Sequence, residues 1–193
     1  MGLVKIVEYD PAWPDEFRDV ARQLRRALGE SVVRIDHVGS TSVLGLASKN
    51  VIDVQVSVEH DSELESVSEE LADAGWIPSD GISRDHEVPG WTSDKSATRK
   101  RYLGEPPGHR RVHVHVRVLG QANQRYAILF RDYLRAHPYS ASAYGTLKRD
   151  LALLLRDDSG RYADVKDAAC DLIYFAAEDW AETVGWIAGP SDG

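Results

Sequence analysis

The stretch RIDHVGSTSVLGLASKNVIDVQVSV, residues 34–58, contains two strand-like segments separated by a serine-rich turn. The first segment, residues 32–38, predicts a buried strand. The second, residues 51–58, alternates apolar and polar residues, which is typical of a strand that buries one face. The chain turns at Gly39, so three consecutive hydroxyl side chains follow directly after a predicted strand.

This turn has two interpretations. Because glycine has no Cβ, the backbone N–H groups around Gly39 can approach a phosphate closely, and neighbouring hydroxyl groups can add hydrogen bonds to its oxygens. The same composition also forms an ordinary turn. The residues that would bind a phosphate are Gly39, Ser40, Thr41 and Ser42.

The second strand adds a carboxylate to this arrangement. Asp53 lies thirteen residues after Ser40, on the polar face of a strand whose other face is apolar. A carboxylate is costly to bury unless it is paired or binds a cation. Beside a phosphate-binding turn, Asp53 would place a divalent metal ion against a polyphosphate, and Lys49 would add a positive charge nearby.

A later segment, RVHVHVRV at residues 111–118, is the clearest strand in the sequence. His113 and His115 share its polar face, since strand side chains repeat every two residues. The spacing fits two ligands of one metal ion. Because Arg111 and Arg117 share that face and would repel a metal, contact with an anion is an equal alternative, and the solvated face of an edge strand is a third.

Basic residues gather just before and within this strand, although the protein is acidic overall. Such a cluster predicts a local site for phosphate or carboxylate, and the alternative is a solvated loop beside a strand. The residues are Arg99, Lys100, Arg101, Arg110 and Arg111.

Other residues with chemical potential are predicted to be structural. Cys170, the only cysteine, excludes an internal disulfide and lies in an apolar run typical of a buried thiol. His37 is interpreted as a partly buried histidine with satisfied ring nitrogens rather than a pocket residue. Tyr126, Phe130 and Tyr133 follow helical spacing, which favours core packing over base stacking.

The composition is that of a folded acidic protein. The chain has 193 residues, 42% of them hydrophobic and 28% charged, with a net charge of −8. Because nonspecific nucleic-acid binding needs many Lys and Arg contacts to phosphates, we expect a small-molecule substrate and no extended nucleic-acid surface. No segment approaches the roughly 20 apolar residues of a membrane helix, and the amino terminus lacks a secretory apolar region, so a cytoplasmic protein without membrane contact is predicted.

The sequence predicts an α+β fold. A mixed β-sheet with flanking helices is expected over residues 1–120, followed by a helical region, residues 121–193, packed on this core. Further strands are predicted at 3–9 and 98–103, and helices at 15–28, 62–74, 121–136, 139–155 and 161–186.

Several segments together resemble the GrpB family, also called the UPF0157 family. They are YDPAWPDEF (9–17), the stretch 34–58, HVHV (113–116) and FRDYLRAHPYSASAYGTLKRDL (130–151). The resemblance implies the nucleotidyltransferase superfold related to DNA polymerase β, with a nucleoside triphosphate as substrate and a divalent metal ion (Mg, Mn or Zn) as cofactor. The residues that match the superfold's two motifs are Val38, Gly39 and Ser40, then Asp53, Val54 and Val56.

The sequence departs from that superfold at its metal ligands. Gln55 stands where a second carboxylate is usual, and His113 or His115 stands where a third would be. An amide is a weaker ligand for magnesium than a carboxylate, and imidazoles shift the preference towards zinc or manganese. The ordinary two-magnesium mechanism is therefore not implied.

Two main functional hypotheses follow. The first is an enzyme that transfers a nucleotidyl or related phosphate-activated group to a small-molecule acceptor. The second is a non-catalytic module that binds a nucleotide or another small molecule, and a ligase or hydrolase dependent on a nucleoside triphosphate or metal is a third. Under the first hypothesis, catalysis and metal binding belong to Asp53, His113 and His115. Phosphate and substrate binding belong to Gly39, Ser40, Thr41, Ser42, Lys49, Arg101 and Arg111.

Overall fold

One mixed β-sheet organises the protein. The computed structural model describes residues 3–91 and 95–193, and within them five strands follow the order β1-β2-β5-β4-β3. β2 and β5 are parallel, and the other neighbouring strands are antiparallel. The strands are β1 (Arg34–Val38), β2 (Ile52–Val58), β3 (Ile77–Pro78), β4 (Arg101–Gly104) and β5 (Val112–Val118).

Five α-helices surround the sheet in the described part of the chain. They are α1 (Trp13–Leu28), α2 (Glu63–Asp73), α3 (Ala122–Ala136), α4 (Pro138–Leu154) and α5 (Ser159–Val184). α1 has Pro14 in its first turn, where the missing N–H costs nothing, and it ends before Gly29, which adopts a positive φ of 52°. Short 3-10 turns occupy Gly29–Ser31, Ser40–Ser42 and Lys95–Thr98.

The main core lies between one face of the sheet and the first two helices. Val54 pairs with Val114 and Val56 with Val116 in the parallel register, so the valines of both strands point to the same side. The apolar stripes of α1 and α2 pack on this face and exclude water from it.

The opposite face of the sheet is polar and is covered by the C-terminal helices. α3 packs against β1 and β5, and its Gln124 carbonyl accepts a hydrogen bond from Gln55 of β2 at 3.1 Å. α4 and α5 pack around α3 through separate apolar clusters. The polar side chains of β2 and β5 therefore lie beneath a helical layer rather than in open solvent.

The predicted α+β fold is confirmed, with three corrections. Residues 3–9 do not form a strand, because their backbone makes isolated contacts instead of a ladder: a bridge from Val7 to Ser48 and a hydrogen bond from the Val4 N–H to the Arg156 carbonyl. The strand predicted at 98–103 begins only at Arg101, after a 3-10 turn. β5 lies between β2 and β4, which excludes the edge-strand interpretation.

The division of the chain at residue 120 stays a prediction. Within the predicted sheet region, residues 1–120, Met1, Gly2 and residues 92–94 lie outside the described residues. Among the helices that the structure describes, none combines the length and apolar character needed to cross a bilayer.

Core packing predicts a large difference between two leucines. Leu24 on α1 is fully buried, whereas Leu153 on α4 is 79% exposed. Leu24→Ala should lower the free energy of unfolding by about 2–5 kcal/mol, because it removes buried apolar surface and leaves a cavity, while Leu153→Ala should change it by less than about 0.5 kcal/mol. Urea denaturation measures both, and equal effects would contradict the described core.

Candidate functional site

Asp53, His113 and His115 come together on the polar face of the sheet. Asp53 and His113 are register partners across β2 and β5, so their side chains leave the sheet at the same point. Nδ1 of His113 lies 3.1 Å from Oδ1 of Asp53, and Nε2 of His115 lies 3.8 Å from the same oxygen. One possible ligand atom from each residue lies within 4.8 Å of the other two.

This donor set fits a divalent cation. One carboxylate oxygen and two imidazole nitrogens on adjacent strands suit zinc, manganese or iron better than magnesium. Burial opposes ionisation of Asp53, but hydrogen bonds from His113 and His115 hold the pKa of its carboxyl well below the usual value. Asp53 is therefore a carboxylate at neutral pH.

Gly39 is required because the turn packs directly on this carboxylate. Gly39 has φ 68° and ψ −171°, a conformation that is essentially restricted to glycine. A Cβ added there would overlap Oδ2 of Asp53 and lie 2.9 Å from its Cβ. Because position 39 has no Cβ, the Asp53 side chain can pack directly against the turn.

The three hydroxyls of the turn have different surroundings. Ser40 faces a cavity and its Oγ accepts a hydrogen bond from Nζ of Lys148 at 2.7 Å. The buried Thr41 hydroxyl contacts Nε2 of His37 at 3.0 Å, and the Ser42 hydroxyl donates to the Gly39 carbonyl at 2.6 Å. The structure therefore brings Ser40 into the site, whereas Thr41 and Ser42 make internal contacts that hold the turn.

The cavity has a volume of about 350 Å³ and lies between the polar face of the sheet and the C-terminal helices. Asp53 and the two histidines line one part of it, and Lys49, Lys148 and Lys166 line another. An aromatic part is formed by Trp91, Tyr126, Phe130, Tyr144 and Tyr162.

Two of these lysines lie beside neutral groups. Lys148 is 2% exposed, and its described contacts are the Ser40 hydroxyl and the Tyr144 ring, 4.5 Å from its Nζ. Nζ of Lys49 lies 4.4 Å from the centroid of Tyr162. Burial lowers the pKa of Lys148 to about 7 and also lowers that of Lys49, because a charged ammonium loses solvation there. An anion in the cavity would favour the charged form of both.

Gln55 is occupied by protein contacts. Its Oε1 accepts a hydrogen bond from Nη1 of Arg117 at 2.7 Å, and its Nε2 donates to α3. Arg117 also makes two bonds to Asp85, at 2.8 and 2.9 Å, and Nζ of Lys100 donates to the same carboxylate at 2.6 Å. Where the superfold usually has its second carboxylate, this protein therefore has a neutral amide, and an arginine donates a hydrogen bond to it.

Two arginines assigned to substrate binding from the sequence lie elsewhere. Arg101 is paired with Glu65 of α2, on the apolar side of the sheet, because it is the register partner of Val116. Arg111 is exposed, with Nε 3.4 Å from Glu105. Neither side chain lines the cavity.

The predicted basic cluster also separates into individual ion pairs. Arg99 pairs with Asp61 and Arg110 with Glu16, so both arginines already have a carboxylate partner outside the cavity. Lys100 alone of the predicted cluster points towards the site residues, through Asp85.

Of the residues interpreted as structural, His37, Phe130 and Cys170 are buried, whereas Tyr126 and Tyr133 are partly buried. His37 stacks on Phe17 with ring centroids 4.6 Å apart. Cys170 is 6% exposed and its Sγ lies 3.2 Å from the Tyr144 hydroxyl, although it also borders the cavity. Tyr126, Phe130 and Tyr133 pack in the helical clusters.

Sequence reasoning missed Lys148 and Asp85. Lys148 had a detectable signal, because it occupies the buried stripe of α4 with Ala141, Tyr144 and Leu151, where a lysine is unusual. Asp85 had none, because it lies in an irregular segment and meets Arg117 and Lys100 only through tertiary folding.

Comparison with known proteins identifies the family. The model of the GrpB protein family matches residues 3–175, so the chain belongs to the GrpB family and the resemblance is confirmed. A dephospho-CoA kinase of Mycobacterium tuberculosis is 34% identical over 94% of this chain but only 48% of its own length. The chain thus spans about half the length of the curated relatives it matches.

Solved structures support the same assignment. The crystal structure of GrpB from Enterococcus faecalis matches with a TM-score of 0.72 and 32% identity, covering 91% of this chain and 99% of that one. The RNA terminal uridylyl transferase Cid1 matches with a TM-score of 0.50 and 15% identity, covering 73% of this chain and 40% of Cid1. The second likeness shows the nucleotidyltransferase-like fold alone.

The contact between Gly39 and Asp53 predicts a position-specific effect. Gly39→Ala should destabilise the protein by more than Gly45→Ala, because Gly45 also has a positive φ, 76°, but has open space around an added Cβ. Backbone strain alone should cost Gly45→Ala about 1–3 kcal/mol. Thermal and urea unfolding of the two variants provide the comparison, and equal losses would show that the turn does not pack on Asp53.

Burial of His37 predicts a pH dependence of stability. Burial lowers its pKa from 6.5 to about 3, so the unfolded chain binds a proton that the folded protein excludes. The contribution of the neutral His37 ring to the free energy of unfolding is fully present above about pH 6.5. It decreases as the pH drops towards 3, by up to about 1.4 kcal/mol per pH unit. His37→Gln should give a shallower curve over this range in urea titrations; parallel curves would refute the assignment.

Proposed function

We propose that this GrpB-family protein binds a metal-complexed nucleoside triphosphate and transfers its nucleotidyl group, or another phosphate-activated group, to a small-molecule acceptor. The observation that carries the proposal is a cation-binding group and an anion-binding group that line one cavity. Asp53 with the histidine pair forms the first, and Lys148 with Ser40 forms the second.

The carboxylate group would hold the metal. Asp53 is ionised and directed at the cavity, with imidazole nitrogens within 4.8 Å. A divalent cation held there would polarise a phosphoryl oxygen and offset charge that develops during transfer. The sheet fixes Asp53 and His113 by backbone pairing, which favours the preorganisation that phosphoryl transfer requires.

The lysine side of the cavity would bind the phosphates. A buried ammonium without a carboxylate partner gains most from an incoming anion, and the contacts described for Lys148 and Lys49 are to neutral groups. The Ser40 hydroxyl, now bonded to Lys148, would turn to a phosphate oxygen. Thr41 and Ser42 would act only by holding the turn.

The acceptor is proposed to be small. A cavity of about 350 Å³ is within the range of small-molecule sites, and the net charge of −8 disfavours a long polyanion. An acceptor hydroxyl or amine would lose its proton to water as the new bond forms, because both imidazoles are engaged at Asp53.

A second candidate is a nucleotide-binding module without transfer chemistry. It is favoured by Gln55, whose oxygen accepts a hydrogen bond from the positively charged Arg117 guanidinium, which opposes a second cation at that oxygen. Incubation with nucleoside triphosphates labelled in the nucleoside and a pool of small acceptors separates the two: nucleotidyl transfer gives a labelled adduct together with pyrophosphate, whereas the module returns the triphosphate intact.

Binding provides the direct test. Calorimetry with each nucleoside triphosphate, with and without Mn²⁺, Mg²⁺ or Zn²⁺, should give metal-dependent binding that Asp53→Asn abolishes. Lys148→Met should weaken triphosphate binding at least tenfold, about 1.4 kcal/mol, and leave binding of the metal alone unchanged. The matched control is Lys5→Met, at an exposed lysine remote from the cavity lining. Full triphosphate binding by both site variants would overturn the proposal.

A further inference from the structure

The two ring nitrogens of His115 face opposite kinds of group. Nε2 points to the Asp53 carboxylate at 3.8 Å. Nδ1 lies 3.4 Å from Nζ of Lys100 and 3.4 Å from Nη2 of Arg117. Both of these neighbours are cations that can donate hydrogen bonds but cannot accept them.

These cations are firmly placed. Lys100 and Arg117 both bind Asp85, and their side chains are only 6% and 8% exposed. Arg117 is also bonded to Gln55. Nδ1 of His115 must therefore be the acceptor in these contacts, so a neutral ring carries its proton on Nε2, on the side of Asp53.

This proton position conflicts with metal ligation by His115. A neutral histidine that binds a metal through Nε2 carries its proton on Nδ1 and normally donates it to a carboxylate, a carbonyl or water. At His115 that N–H would point at two cations. His113 differs, because its Nδ1 contacts Asp53 directly at 3.1 Å, and the neighbours described for its ring are Asp53, Tyr102 and His115 rather than cations.

We propose that His115 is a positioning residue that keeps a proton on Nε2 and orients Asp53, while Asp53 and His113 are the protein ligands of a single cation. The inference rests on the proposed cation site at Asp53. Arg117 favours both the Nε2 proton of His115 and the binding of one cation rather than two. Its Nη2 faces Nδ1 of His115, and its Nη1 donates a hydrogen bond to the oxygen of Gln55. The remaining ligands would be phosphate oxygens and water, as is usual for cations bound with a nucleotide.

Nitrogen NMR tests the proton position directly. In metal-free protein labelled with ¹⁵N-histidine at pH 7.5, long-range ¹H–¹⁵N spectra should show the Nε2–H tautomer for His115, assigned by loss of its signals in His115→Gln. On addition of Zn²⁺, His113 should acquire the signature of a metal-bound nitrogen while His115 keeps its Nε2 proton. An Nδ1–H tautomer without metal, or a metal-bound Nε2 of His115, overturns the inference.

Metal titration gives a second, independent measurement. Asp53→Asn and His113→Gln should weaken Mn²⁺ binding at least 100-fold, whereas His115→Gln should weaken it no more than tenfold, with one cation bound per chain. Equal losses for the two histidine variants, or two cations per chain, overturn the inference.

The outcomes separate this inference from the proposed function. Circular dichroism establishes that each variant is folded before its titration is interpreted. If wild type binds no cation, the proposed function and the ligand roles of Asp53 and His113 fail together, whereas the metal-free tautomer still decides the role of His115. If a cation binds through His115, only the further inference fails.

Discussion

The parallel pairing of β2 with β5 is the interaction on which the rest of this structure depends. It places Asp53 opposite His113 and, two residues on, Gln55 opposite His115. The same register points the valines of both strands to the α1 and α2 side, so one set of backbone hydrogen bonds defines both the core and the site. A slip of one residue would exchange the two faces, burying charges in the core.

The buried charged residues on the polar side of the sheet have two kinds of surroundings. Asp85 pairs with both Arg117 and Lys100, and these two cations contact Gln55 and His115. Lys148, by contrast, is buried beside a hydroxyl and an aromatic ring. A buried cation with neutral neighbours is destabilising by itself and becomes favourable when an anion arrives, which is the arrangement expected of a binding residue rather than a structural one.

Membership of the GrpB family and the nucleotidyltransferase-like fold describe the scaffold, and chemistry depends on the site built upon it. Here the departure from the superfold's carboxylates involves more than one substitution. Gln55 is matched by Arg117, which donates to its oxygen, and a carboxylate at position 55 would form an ion pair with that arginine instead of remaining free for a cation. The change to an amide is therefore coupled to the network behind it.

Periodicity alone determined β2, β5, α1 and the sharing of one face by His113 and His115, because alternation and helical spacing are local properties of the chain. Together with the motif after Gly39, it also indicated Asp53 as a site residue. Only the tertiary structure decided which cations belong to the site. Arg101 lies in a basic run but one position out of phase with His115, whereas Lys148 arrives from a distant helix. Such contacts depend on how separate elements pack, and no local pattern in the sequence encodes the partner of a buried charge.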